Sequence, residues 1–253
     1  SQPVIGLPLA LAAALDAPAA ARDAALEAGM LGYAAVRVHD DWLDEGLGDD
    51  DPHATALLAH ALFAAHQSAT ARAAGGEPSF WSFFQATWAD YAEAMLLERD
   101  LLRGPAAGAP PYAAAAFSRV LLRSRPLALP PAALLARAGA LDRLPSLLVL
   151  VDAAVRASQL LDDSVDVLQE LDAGRFNHLV QRFGGLQGRD ALLTGWVLGG
   201  FATAMEEADA ALEAGIAPAG ALGIGAWYDD FVARRRALAE RIQAAATASS
   251  ARS

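Results

Sequence analysis

The chain contains no cysteine and no lysine. Without thiols, disulfides and thiolate metal sites are excluded, and the redox compartment stays open. Without lysine there can be no lysine Schiff base. Any anion site must then use arginine, backbone N–H groups or a metal, and all 19 basic residues are arginine. β-Branched residues are comparatively few and aromatics make up 7%, which argues against a large sheet. No run of about 18 apolar residues passes without a charge, so no membrane span is expected. The N-terminal apolar stretch lacks the basic region of a secretory signal. A soluble, cytoplasmic protein follows. The net charge of −11 disfavours non-specific binding to nucleic acid.

What is abundant is alanine and leucine, the best helix formers, within a hydrophobic fraction of 55%. The 253 residues can bury a sizeable core. The pattern predicts helices at 4–15, from Pro18 to Glu45, at 52–74 and from Pro78 to about Arg103. Further helices are expected at about 112–124, 132–140, 145–172, 189–214 and 218–246, with Pro126, Pro130 and Pro131 as breaks. Asp51 and Pro52 read as N-cap and first residue of the third helix. Connections are short and no repeat is present. The expectation is an all-α fold, one domain over 1–253, with about nine helices in a single bundle.

Two acidic runs stand out. The first is Asp40-Asp41-x-x-Asp44, late in a long helix; the second is Asp162-Asp163-x-x-Asp166, late in another. Residues four apart share a helix face, so Asp40 pairs with Asp44, and Asp162, Asp166 and Glu170 form a row. Acidic faces beside apolar sequence are costly as core. They make sense facing each other across a cavity and holding hard cations, Mg²⁺ or Mn²⁺ as its substitute. Such ions neutralise a departing diphosphate, and apolar helices would keep water from the carbocation left behind. Asp49–Asp51 and Asp229-Asp230 read as caps or solvated surface. His39 reads as a packed neighbour of the first motif, and no Glu-x-x-His pairing suggests a di-iron site. Phe80, Phe84, Trp88 and Tyr91 share one helix face, either a core stripe or a cavity wall whose π faces stabilise a cation.

The pair Asp40-Asp41-x-x-Asp44 and Gln159-x-x-Asp162-Asp163-x-x-Asp166 resembles the two aspartate-rich motifs of the trans-isoprenyl diphosphate synthases, within the class I isoprenoid synthase superfamily. The resemblance extends along the chain. Val4–Leu15 is similar to the helix before the first motif, Leu193–Leu212 to the penultimate helix, and Tyr228 to Arg234 to the basic C-terminal helix. It implies an all-α bundle around a central cavity and Mg²⁺-dependent ionisation of a prenyl diphosphate. Homodimerisation is that family's habit. Asp40, Asp41, Asp44, Asp162, Asp166 and Glu170 would bind metal, with Asp40, Asp41 and Arg119 serving ionisation. Arg119, Arg175 and Arg234 would hold the diphosphate. Ala35, Val36, Phe84, Trp88 and Gln159 would line the substrate pocket, and the small Ala34, Ala35 and Val36 suggest a farnesyl or longer tail.

The departures bear on the reaction. Chain-elongating members carry Gly-Gly-Lys-Arg ahead of the first motif; Ser1-Gln2-Pro3-Val4 stands here. They place an Arg pair after that motif, where this chain has Gly46-Leu47-Gly48-Asp49-Asp50-Asp51. Arg119-Val120 replaces their Lys-Thr. The isopentenyl diphosphate side therefore looks dismantled, and two anions without cations repel. Asp162, Asp166 and Glu170 also resemble the metal triad of class I terpene synthases, with Asp166 in place of Ser or Thr. The leading expectation is ionisation of one prenyl diphosphate followed by cyclisation or quenching. The alternatives are a prenyltransferase that adds isopentenyl diphosphate, and a non-catalytic partner subunit of a prenyl synthase.

Overall fold

In the computed structural model, residues 3–44, 52–102, 114–173, 177–183 and 189–250 are described. Every element among them is helical and none is a strand. Helices α1 (Pro3–Ala14), α2 (Ala19–Asp44), α3 (Pro52–Ala74) and α4 (Pro78–Leu102) come first. After α5 (Ala114–Val120) the chain tightens into a 3₁₀ helix, Leu121–Ala128, and runs directly into α6 (Leu129–Arg137). Then come α7 (Leu144–Ala173), α8 (His178–Arg182) and α9 (Arg189–Gly195). A π-helical turn, Trp196–Gly200, leads to α10 (Phe201–Ala214), α11 (Ile216–Ala221) and α12 (Gly225–Ser250).

The long helices match the sequence pattern, and the punctuation differs. Pro126 sits inside the 3₁₀ helix, and Pro130 and Pro131 sit in the first turn of α6. First-turn N–H groups have no helical partner, so proline costs little there and the chain does not break. The predicted 189–214 helix is kinked at Gly199, where φ is 135°. The predicted 218–246 helix is two, divided at Gly223 (φ 73°), where Ile224 N–H donates back to the Ala219 carbonyl. That is the left-handed turn by which many helices stop, and glycine adopts it without strain. The expected capping residue Asp51 lies outside the described residues.

α7 is the hub. Its first half packs Leu147, Leu150, Val151 and Ala154 into the main core with α1, α4, α6 and α12. Its second half packs Leu160, Leu161 and Val167 into a second cluster with Phe117, Leu179, Ala204 and Ala208. Residues Leu141–Ala173 are long and apolar enough to cross a membrane by length and composition alone. Charges interrupt the stretch along its whole length, from Asp142, Arg143, Asp152 and Arg156 to Asp162, Asp163, Asp166, Glu170 and Asp172. α6 is buried from Leu129 through Ala136 and apolar throughout, as a helix enclosed on all sides must be.

Candidate functional site

A cavity of about 440 Å³ opens among α1, α2, α6, α7 and α12. On α2 its wall is Gly29, Gly32, Tyr33, Val36, Arg37 and Asp40, one face at three- and four-residue steps. On α7 two adjacent rows line it: Leu150, Ala154, Ser158 and Asp162, and beside them Val151, Val155 and Gln159. One aspartate from each motif, Asp40 and Asp162, therefore borders the same space. Val4 and Leu7 of α1, Leu127, Pro130 and Trp227 make other parts of the wall apolar.

Arg123, from the 3₁₀ helix, is held between α4 and the α7 wall. Its guanidinium pairs with Glu98 and donates to Gln159 Oε1 at 3.1 Å, and it feels the charges of both Asp40 and Asp163. Gln159 Nε2 donates to Asp163 Oδ1 at 2.6 Å, and Asp163 Oδ2 accepts the His178 backbone N–H at 2.9 Å. Burial, partly opposed by these hydrogen bonds, pushes the Asp163 carboxyl up to about 7. Beside Asp40, the Tyr91 hydroxyl meets His39 Nδ1 at 3.1 Å. Burial raises that phenol well above its ordinary range, and the Asp40 charge raises it further. On the α7 wall, Asp162 keeps an exposed face toward solvent. The protein packed around it still raises its carboxyl, the Asp166 charge adds to this, and Arg235 opposes it.

Other expected residues fall elsewhere. Asp41 is exposed, and Arg37 bridges it (2.7 Å) and Asp40 (2.9 Å). Asp166 and Glu170 are half-buried on the turns after Asp162 and do not line the cavity. The side chain of Asp44, and all of Arg175, lie outside the described residues. Of the residues assigned to a substrate pocket, Val36 and Gln159 line the cavity, whereas Ala35 is fully buried and does not. Phe84 and Trp88 correct the pocket assignment: they pack with Phe63 and His66 between α3 and α4, the core stripe of the two readings. Arg119 is exposed on α5 and away from the cavity, and Arg234 is exposed and paired with Asp230 at 2.8 Å.

Three cations that sequence reasoning passed over do line the cavity: Arg37, Arg123 and Arg235. Each had a signal. Arg37 lies three and four residues before Asp40 and Asp41, the spacing for a helical ion pair. Arg123 is a turn beyond Arg119, and Arg235 is the neighbour of Arg234. Among the described residues no three histidine or carboxylate side chains converge as a closed metal site. No known family model matches the sequence, and no match to it was found among curated proteins or solved structures.

Proposed function

We propose that this chain is a class I isoprenoid synthase-like enzyme that ionises one prenyl diphosphate and cyclises or quenches the resulting cation. The observation that supports the reading best is that Asp40 and Asp162, one from each acidic motif, border a single cavity whose other walls are largely apolar. A polar rim and an apolar interior suit an amphiphile with an anionic head and a hydrocarbon tail.

A hard cation fits the residues present. Asp162 is a carboxylate whose charge is disfavoured by the protein packed around it and by Asp166, and a divalent ion would relieve both. Mg²⁺ needs only one or two carboxylates when waters and substrate phosphates complete its shell, so a closed protein site is not required. Asp40 and Asp162, with Asp166 next to the latter, would hold it. When bound, it would supply Lewis-acid neutralisation of the leaving diphosphate. The protein's own part is positional. Arg123 is held by Glu98 and Gln159, so a guanidinium that lines the cavity is already fixed in place and would need little reordering to meet an anion. Arg235, over the Phe231 ring at 5.3 Å, offers a second cation from α12. Arg37 can leave the aspartates for the anion. Val151, Ala154, Val155 and Trp227 exclude water from the tail, and the Trp227 ring offers a π face to a cation.

The test is incubation with Mg²⁺ and farnesyl or geranylgeranyl diphosphate, with and without isopentenyl diphosphate. Hydrocarbon or alcohol from the single substrate is expected, with Asp40→Asn and Asp162→Asn each lowering turnover by roughly a hundredfold or more. Product formed only with both substrates would replace this reading with prenyl transfer. Pyrophosphate release from neither donor would sink both.

A further inference from the structure

Asp163 belongs to the second acidic motif, yet it is 5% exposed and does not line the cavity. Both of its carboxylate oxygens are taken. Oδ2 accepts the His178 backbone N–H at 2.9 Å, and Oδ1 accepts from Gln159 Nε2 at 2.6 Å. Gln159 in turn accepts from Arg123 through Oε1 at 3.1 Å, and both of these residues line the cavity. A single chain of hydrogen bonds thus runs from Arg123 through Gln159 to Asp163, and the His178 N–H closes its far end. Arginine and a backbone N–H can only donate, so the Gln159 amide must turn its oxygen to Arg123 and its NH₂ to Asp163. At the end of such a chain, only an ionised carboxylate accepts at both oxygens and donates at neither. An amide there would have to present its own NH₂ to one of two donors.

We propose that Asp163 is a positioning residue: by fixing which end of the Gln159 amide faces Arg123, it holds the Arg123 guanidinium in place for the anionic head of the bound molecule. The inference rests on the isoprenoid reading above, which makes that head a diphosphate. Asp163 itself touches no substrate and acts only through Gln159. Asp163→Asn keeps the shape of the side chain but reverses one hydrogen bond. If its oxygen stays on the His178 N–H, its NH₂ faces Gln159, whose amide must turn over. The Gln159 NH₂ then meets Arg123, donor against donor, and of its two side-chain partners the guanidinium keeps only Glu98. Adding Gln159→Glu supplies acceptors to both Arg123 and the asparagine NH₂. Every group is then satisfied again, at the same net charge. The rival is a purely local role, in which Asp163 anchors the start of α8 through the His178 N–H and Gln159 is incidental.

The tests are made at about pH 8.5, above the value of about 7 to which burial raises the Asp163 carboxyl, so that it is ionised. In the unaltered protein, ¹⁵N NMR should show the Arg123 guanidinium turning about its Nε–Cζ bond roughly tenfold or more slower than that of the exposed Arg22. Equal rates overturn the proposal. Asp163→Asn should speed the Arg123 rotation by roughly tenfold, the loss of one hydrogen bond to a charged group. It should weaken the binding of inorganic pyrophosphate with Mg²⁺, read by calorimetry, by a similar factor. No change in either overturns the proposal, as does a parent that binds no pyrophosphate. Adding Gln159→Glu should raise the urea midpoint above that of Asp163→Asn alone, and a double exchange no more stable than the single one supports the local role instead. If Asp163→Asn does not fold, the rotation in the unaltered protein and the folding of the double exchange decide. Turnover of farnesyl diphosphate separates the two readings. A parent that binds pyrophosphate but ionises no prenyl diphosphate sinks the isoprenoid reading and leaves Asp163 in its role at a diphosphate site. A parent that turns over farnesyl diphosphate, with kcat and KM unchanged in Asp163→Asn, keeps that reading and defeats this proposal.

Discussion

Helix α12 brings Trp227 and Arg235 to the cavity, and one contact fixes its position. Tyr228 is fully buried, and its hydroxyl donates to the Leu212 carbonyl at 2.9 Å, where α10 ends. The ring lies over Gly215. A Cβ on Gly215 would stand 2.0 Å from the phenol oxygen and 2.3 Å from Cζ. Gly215→Ala therefore forces the phenol back by about 1.4 Å to restore ordinary contact at 3.4 Å. The backbone at Gly215 (φ −85°, ψ −14°) suits alanine, so without the clash the substitution would gain about 0.4–1 kcal/mol. Overpacking costs about 1–3 kcal/mol, and separating a buried hydroxyl from its carbonyl about 1–3 more. A net loss of roughly 3 kcal/mol is expected, or about 6–10 °C in Tm for a chain of this size. Urea unfolding followed by far-ultraviolet circular dichroism measures it. Gly220→Ala, in α11 with nothing within 4 Å of its Cβ, is the control and should stabilise by about 0.5–1 kcal/mol. Tyr228→Leu removes the obstacle, so adding Gly215→Ala to it should cost less than about 0.5 kcal/mol. A Gly215→Ala protein within about 1 kcal/mol of the parent, or a cycle in which the two costs simply add, would refute the reasoning.

Arg37→Ala should change stability by no more than about 0.5 kcal/mol, because its ion pairs are exposed. The same change should tighten Mn²⁺ binding, measured by electron paramagnetic resonance, by roughly threefold or more at low salt, since a cation no longer competes for Asp40 and Asp41; equal affinity would count against Asp40 as a ligand. Asn177 is buried, its Oδ1 accepts from the N–H groups of Leu179 and Val180, and its Nδ2 donates to the Asp163 carbonyl. Asn177→Ala should cost about 2–4 kcal/mol in urea unfolding, and a loss below about 1 kcal/mol would show that α8 is not anchored this way. His178 is pushed down to about 3, by burial first and then by Arg182 and Arg156. Its neutral form is favoured in the fold, so its contribution is complete above about 6.5 and is lost as pH falls toward 3. By about pH 4 the loss is about 3 kcal/mol; His178→Phe, which can keep the stack on Phe117, should lack that dependence in stability-versus-pH curves.

The long helices, and the helix faces on which Asp40 and Asp162 lie, were legible in the sequence for one reason. Residues at three- and four-step spacing share a face whatever the tertiary context, so spacing alone places Asp40 and Asp162 on helix faces. Rotation around a helix beyond that face was not legible. Phe84 and Trp88 belong to a buried stripe, but periodicity cannot say whether the neighbour is another helix or a cavity. Arg119 and Arg123 would share a face in a continuous α-helix. The change to 3₁₀ winding after Val120 alters the turn per residue, and only Arg123 reaches the cavity. Arg234 and Arg235 differ by about 100° on one helix, and no pattern in the charges alone chooses between them. The prolines misled because their rule concerns helix interiors, and here Pro130 and Pro131 begin one.

The place of α7 at the centre of the bundle has a consequence for synthesis. The helix is complete at Ala173, but α10, which covers Leu160, Leu161 and Val167, begins only at Phe201. At about 5–20 residues per second, the ribosome leaves that apolar surface bare for roughly one to several seconds. A nascent chain with so membrane-like a segment competes, during that interval, for the chaperones and targeting factors that scan emerging polypeptides for hydrophobic stretches. The order in which the helices are made therefore creates a window of vulnerability that closes only when the C-terminal third is translated.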